Sequence, residues 1–128
     1  MKTLGRLLLA FSAAIFSFGT WIHTSAFDRM SAGVAKSDLP SFLGSGLRTL
    51  WLMDSSVQII LALVFALVAI RPTLATKPIV VLIALIPLAT AIFIYHFIGN
   101  FIGGHLFVAG AVAAIVGALL VPVNGTQR

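Results

Sequence analysis

Apolar and polar positions divide the chain into four long hydrophobic runs. The runs cover residues 7–27, 49–70, 78–99 and 101–121, and each is 21 or 22 residues long. A helix rises about 1.5 Å per residue, so each run would form a helix of about 32 Å, which matches a bilayer core of about 30 Å. Because backbone amides in lipid must pair within their own segment, the pattern predicts four membrane-spanning α-helices.

The fold class that follows is an all-α integral membrane protein. Residues 1–128 are predicted to form a single transmembrane domain, a four-helix bundle whose helices cross the bilayer up, down, up and down. Proline and glycine positions predict where its helices begin, bend and end. Pro78 fits the first turn of the third helix, Pro87 is expected to kink that helix, and Pro122 is expected to end the fourth. A tight turn between the last two helices is predicted from Asn100, Gly103 and Gly104.

The one sizeable connection, residues 28–46, is predicted to be an external loop. Apolar residues recur at helical spacing in it and just after it, namely Leu39, Phe42, Leu43, Leu47, Leu50 and Trp51. This spacing predicts a short interfacial helix that lies flat on the membrane before the second span begins.

Composition restricts the class of protein further. Hydrophobic residues make up 60% of the chain and charged residues 9%, and the mean hydropathy is +1.14. A water-soluble domain carries about a quarter charged residues, so this composition excludes a soluble enzyme and a disordered tail. The chain has no cysteine, which excludes a disulfide-stapled secreted module and thiol chemistry.

The net charge of +5 comes from eight Lys and Arg against three Asp. These basic residues stand singly between apolar runs and form no continuous patch, so we expect no nucleic-acid partner. The positive-inside rule gives an orientation instead. Five basic residues fall on the side of the chain ends (Lys2, Arg6, Arg71, Lys77 and Arg128) and three on the other side (Arg29, Lys36 and Arg48). We therefore expect both termini in the cytoplasm, with the protein in a bacterial inner membrane.

The first run also resembles a secretory signal, because Lys2 and Arg6 precede it and residues 24–26 form a poor cleavage site. Its length exceeds the usual signal core of about 7 to 15 residues, so we expect an uncut anchor, with cleavage as the alternative. Residues 124–126 match a glycosylation acceptor pattern, which we interpret as chance.

Small residues predict where the helices pack. In lipid, helices associate through close backbone approach and polar contacts, since leucine gains nothing by leaving lipid. The fourth span carries small residues at spacings of four and seven, including Gly103, Gly110, Ala114, Gly117 and Ala118. The second span carries Ala62 and Ala66, and we expect these two faces to meet. The alternative is that the groove on the fourth span pairs with a second copy of the chain.

Four titratable residues are predicted to share one layer near the external face. Alternating crossings place His23, His96 and His105 at a similar depth to Asp54, the only acid within a span. Trp21, Trp51 and Tyr95 accompany them, so an ordinary aromatic belt is the competing interpretation. Asp54 fits that belt least, because an ionisable group inside a span is costly unless it is paired or hydrated. Gln58, one turn deeper, is the nearest polar residue on its helix.

If the layer converges, three imidazoles and one carboxylate form a ligand set for zinc, copper or iron. Paired histidines could also hold a haem, and His with Asp could hydrogen-bond a quinone. No cofactor is required by the sequence, and the spacings match no local metal motif. Asp54 and Gln58 could instead belong to a proton or small-solute path.

Three functions remain open. The first, which we favour, is a non-catalytic accessory or assembly subunit that packs in the lipid bilayer against a membrane-protein partner or further copies of itself. The second is a redox protein that binds a metal, haem or quinone through the His and Asp layer. The third is a small homo-oligomeric transporter. None of the three requires the chain itself to be an enzyme.

Overall fold

The computed structural model of the protein describes residues 1–121, which contain five α-helices and no strand. The helices are α1 (Lys2–Ser25), α2 (Phe27–Ala35), α3 (Ser41–Ile70), α4 (Lys77–Phe97) and α5 (Ile102–Leu120). A single 3-10 turn over Pro72–Leu74 joins α3 to α4. Four stretches are long and apolar enough to cross a membrane: α1 continued by α2, and then α3, α4 and α5. The prediction of an all-α chain with four long apolar helices is confirmed.

The region between the first two spans differs from its prediction. A short helix does lie in the first part of the predicted loop, but it is α2, which ends at Ala35 and follows α1 after a single turn residue, Ala26. The segment expected to lie flat is instead the beginning of α3, a continuous helix of 30 residues. At about 1.5 Å per residue α3 is about 45 Å long. An unbroken helix cannot lie along a surface and also descend from it, so the prediction of a flat segment before the second span is wrong.

Some of the predicted helix ends and turns also differ from the structure. Pro78 does lie in the first turn of α4, and Pro87 lies inside that helix. The turn before α5, however, uses Gly99, whose φ of 90° is favourable for glycine alone. Gly103 and Gly104 are already helical residues of α5. Pro122 and residues 124–126 lie outside the described residues.

The central helix of the protein is α1, which packs against α3 on one side and α5 on the other, while α4 packs on α5. We name the α1–α5 contact the glycine seam, because Gly5 and Gly117 meet there backbone to backbone. A Cβ added at Gly117 would lie 2.8 Å from the carbonyl oxygen of Gly5. Farther along, the Ser12 hydroxyl donates to the Gly110 carbonyl at 2.8 Å, and Gly110 lies against the ring of Phe16.

The seam corrects the predicted helix pairing. The small-residue groove of α5 was expected to meet Ala62 and Ala66 of α3, but α1 lies between these helices, so that prediction is wrong. Gly110, Ala114, Gly117 and Ala118 are buried within the protein, and the groove is therefore not free to receive a second copy. Gly103 lies elsewhere, against the ring of Phe101.

Large side chains fill the space that the seam leaves in the interior. The ring of Phe16 lies 5.9 Å from that of Phe65 in α3 and 5.9 Å from that of Phe107 in α5. Leu9, Val68 and Val80 continue this core toward the start of α1. These contacts hold α3 and α5 to opposite sides of α1.

Two basic residues at this end bind the last carbonyl groups of neighbouring helices. Arg6 donates to the carbonyls of Ala69 and Ile70 at 2.7 and 3.0 Å, and Lys77 donates to that of Leu119 at 2.9 Å. The final carbonyls of a helix lack partners within the helix, and a cation there also interacts favourably with the helix dipole. The start of α1 is thereby attached to the end of α3, and the start of α4 to the end of α5.

Candidate functional site

Polar side chains gather at the opposite end of the bundle and form two separate clusters. We name them the His23 cluster (His23, Trp51, Asp54, Ser55 and Gln58) and the Tyr95 cluster (Tyr95, Asn100 and His105). The His23 cluster lies between α1 and α3, whereas the Tyr95 cluster joins α4 to α5. The two clusters therefore occupy different helix pairs.

The imidazole of His23 is held by a stacked indole and a side-chain hydrogen bond. Its ring stacks on that of Trp51 with centroids 4.0 Å apart and planes 10° apart. The Trp51 indole N–H donates to the His23 carbonyl at 2.8 Å, which attaches α3 to the last turns of α1. The Nδ1 atom of His23 lies 2.8 Å from the hydroxyl oxygen of Ser55. The ring consequently has one orientation, with its Nε2 atom directed at Asp54.

Asp54 links this ring to a deeper amide. Its Oδ2 atom lies 3.6 Å from the Nε2 of His23 and accepts a hydrogen bond of 2.7 Å from the Gln58 amide nitrogen. His23 and Asp54 are partly exposed, whereas Gln58 is only 2% exposed. Gly19 of α1 makes room for the amide, since a Cβ there would lie 2.6 Å from the Gln58 Oε1.

The Tyr95 cluster is nearer the surface. The Tyr95 hydroxyl lies 2.8 Å from the Nδ1 of His105, and the Nε2 of that ring lies 2.7 Å from the Asn100 side-chain oxygen. An amide oxygen can only accept, so Nε2 carries the proton and Nδ1 accepts from the tyrosine. Both ring nitrogens of His105 are satisfied within the protein, and the cluster fastens the α4–α5 turn.

The predicted four-residue ligand set is not assembled. His23 and Asp54 are neighbours, His105 belongs to the other cluster, and His96 is exposed beside Phe97 with ring centroids 4.6 Å apart. Within residues 1–121 no three His, Cys, Asp or Glu side chains are placed to hold one metal ion. His23 and Asp54 are therefore not ligands of a common metal with His96 and His105.

An apolar surface lies above both clusters. Helical rotation of 100° per residue places Leu43, Leu47 and Leu50 within about 60° of Leu61, on the core-facing side of α3. We name these three leucines the exposed stripe. Phe16 meets Gly110, so the α4–α5 turn lies level with the end of α1. Trp51 also contacts α1 near that end, and the residues of α3 before it extend past the turn.

One open cavity of about 160 Å³ lies at the far end of the bundle, near the start of α4. Its wall is mainly apolar and includes Leu9, Val68, Val80 and Ala118, with Thr76 and Lys77 at one side. None of its lining residues belongs to the His23 or Tyr95 clusters, so it forms no site with them.

Sequence reasoning placed these residues at one end of the bundle but missed several partners. The partners that it missed are Ser55, which contacts His23, and Gly19, which makes room for the Gln58 amide. Gly19 lies one helical turn before His23, and its lack of a side chain was the sequence signal that another group packs closely there.

Comparison of the chain with protein-family models, curated proteins and solved structures finds no match in any of the three.

Proposed function

We propose that the protein is a non-catalytic accessory or assembly subunit of a membrane complex, and that it binds its partner through the exposed stripe. The observation that carries this proposal is the change in burial along one face of α3. Leu61 is 1% exposed, but Leu50, Leu47 and Leu43 on the same face are 62, 44 and 49% exposed. A core-facing row of leucines thus continues beyond the helices that would cover it.

The lengths of the helices explain why this row is only partly covered. At 19 residues α5 is about 29 Å long, close to the thickness of a bilayer core, whereas α3 is about 45 Å long. If α5 crosses the membrane fully, the start of α3 extends outside the hydrocarbon layer. Leucine gains nothing by packing in lipid, but in the aqueous boundary burial of a full leucine side chain contributes about 1.5–3 kcal/mol. A partner that covers the stripe gains this free energy.

The partner that we favour is another membrane protein that supplies an apolar helical face above the bilayer. Substituting Leu43→Gln and Leu47→Gln together should reduce recovery of the partner at least tenfold, because two leucines leave the interface. The measurement is light scattering after purification in mild detergent, which separates a complex with a second polypeptide from multiples of the 13.5 kDa chain.

Phe42→Gln is the matched control. Phe42 lies in the same segment and is 82% exposed, but it is about 100° away from the stripe around α3. Its replacement should leave recovery of the partner unchanged. A homo-oligomer that depends on Leu43 and Leu47 would identify the partner as a second copy. Recovery of a lone monomer from native membranes would contradict the accessory function.

We further propose an up-down-up-down path through a bacterial inner membrane, with both termini in the cytoplasm. Contacts between helix ends support the alternating path, since Arg6 binds the last carbonyls of α3, Lys77 binds that of Leu119, and Gly5 meets Gly117. The charge distribution supports the orientation, because more basic residues lie at the end shared by Arg6 and Lys77.

The orientation can be tested cleanly because the natural chain has no cysteine. Thr3→Cys and Thr73→Cys should be blocked from a membrane-impermeant thiol reagent in intact cells, whereas Ser37→Cys should react. Lysed cells provide the control for accessibility, since all three should then react. Labelling of Thr3→Cys but not Thr73→Cys in intact cells would contradict the alternating path.

The geometry of the described residues gives less support to the redox and transporter hypotheses. The redox hypothesis depended on a common ligand set, and the described residues divide that set between two helix pairs. The transporter hypothesis needs a polar path across the bundle. The described polar contacts of the His23 cluster end at Gln58, beyond which Leu61 and Phe65 are buried.

A further inference from the structure

The hydrogen bonds around Ser55 define the protonation of one nitrogen of His23. The Ser55 hydroxyl donates to the Trp51 carbonyl at 3.1 Å. A hydroxyl has a single proton, so toward His23 the same oxygen acts as an acceptor. The Nδ1 atom of His23, 2.8 Å away, is therefore the donor and carries a proton. In a neutral ring this leaves Nε2 with a lone pair.

The lone pair would face a second acceptor. Asp54 Oδ2 lies 3.6 Å from Nε2, and an ionised carboxylate has no proton to donate. Gln58 donates its own N–H to that oxygen, so the amide supplies no proton toward His23. Two acceptors facing each other repel, and the arrangement is favourable only when one additional proton lies on Nε2 or on Oδ2.

We propose that His23 and Asp54 form a proton-binding site, in which Nε2 and Oδ2 together hold one exchangeable proton. A proton on either atom converts the repulsion between the two acceptors into an attraction between the two side chains. This inference depends on the hydrogen bonds between α1 and α3 and not on the proposed partner, so each can fail without the other.

The site is open on one side only. His23 and Asp54 are partly exposed, and Asp54 lies on the same face of α3 as the exposed stripe. On the inner side, the bound proton meets Gln58 and then the apolar core of Leu61 and Phe16. The proton therefore enters and leaves by the same face. Such a site stores or senses protons and does not conduct them across the bundle.

Other titratable or charged groups also lie on the elements around this pair. Asp28 and Arg29 are in α2, Arg48 is in α3 and His105 is in α5. Arg48 donates to Ser31, and His105 is bonded within the Tyr95 cluster. Asp54 is the only acidic group within 4.0 Å of His23 in the described part of the chain.

Trp51 provides a direct reporter of the imidazole. The chain has two tryptophans, so Trp21→Phe leaves Trp51 as the only indole, stacked on His23 at 4.0 Å. A stacked imidazolium quenches indole emission more strongly than a neutral imidazole, because the charged ring accepts an electron from the excited indole more readily. In detergent, Trp51 emission of this variant should fall on acidification through one single-proton transition between about pH 10 and pH 4.

Two further variants test the shared proton. Trp21→Phe with His23→Gln should show no transition. Trp21→Phe with Asp54→Asn should keep a transition whose midpoint lies lower by about one pH unit or more, because the opposite charge is lost while an Asn amide can still donate to Nε2. An unchanged midpoint in the Asn variant would overturn the proposal, as would a full transition in the Gln variant.

Infrared difference spectroscopy detects the proton when it lies on Oδ2 of Asp54 rather than on His23. The chain has three Asp and no Glu, so a protonated carboxyl band that disappears in Asp54→Asn locates the proton on Oδ2. Either this band, or a Trp51 transition whose midpoint falls in the Asp54→Asn variant, supports the site. Absence of both over the same pH range, in protein that retains its helical circular dichroism, would overturn it.

Discussion

Replacement of Phe16 by alanine is expected to lower the free energy of unfolding by about 3 kcal/mol. Phe16 is 2% exposed and touches Phe65, Phe107 and the backbone at Gly110. In a membrane protein the loss does not come from exposing the ring to water. It comes from an interior void whose walls lose dispersion contacts, since the close-packed helices cannot collapse into it fully.

The matched control for this substitution is Phe11→Ala in the same helix. Phe11 is 56% exposed and faces away from the core, so its loss should cost less than about 1 kcal/mol. Thermal unfolding of both variants in the same detergent, followed by circular dichroism, makes the comparison. Equal destabilisation by the two substitutions would show that Phe16 is not the centre of the packing between α1, α3 and α5.

Gly117→Ala is expected to have the second-largest effect, a loss of about 1–3 kcal/mol, although alanine is the better helix former. The new methyl group would lie 2.8 Å from the carbonyl oxygen of Gly5 and 3.0 Å from the Cγ of Leu9. The contact with Gly5 is backbone, which cannot rotate away as a flexible side chain could. The two helices must therefore separate along the glycine seam.

Gly46→Ala in α3 distinguishes the seam from a general effect of the substitution. A Cβ at Gly46 would meet nothing within 4 Å, so alanine there should be neutral or stabilising by up to about 1 kcal/mol. Unfolding of both variants in a graded detergent series would show opposite signs. If the Gly117→Ala variant is as stable as the natural chain, the result would contradict the close backbone contact between α1 and α5.

The long helices could be predicted from the sequence because the distance across a bilayer sets a minimum apolar length. The pairing of these helices could not be predicted from the sequence, because the same apolar residue types face lipid and face other helices. Repeating glycines correctly marked α5 as a packing helix but did not name its partner. The complementary sign was present in α1, where Gly5, Leu9, Ser12 and Phe16 recur at helical spacing and are all buried.

The candidate site shows the same limit. Counting residues from the span ends gives the position of His23, Asp54, His96 and His105 along each helix, but not their rotation about it. Rotation decides that His23 meets Asp54 while His96 is exposed. The Ser55 contact with His23 depends on how α3 and α1 face each other, and neither sequence segment contains that information alone.

The glycine seam also constrains how the protein can be made. Ser12 and Gly110, which are bonded across it, are 98 positions apart in the chain. α1 is therefore synthesised long before α5, its partner in the seam, and α3 is the earliest long helix with which it can pair. Until α5 has been synthesised, the side of α1 that carries Gly5 and Ser12 lacks its partner, and the arrival of α5 closes the seam.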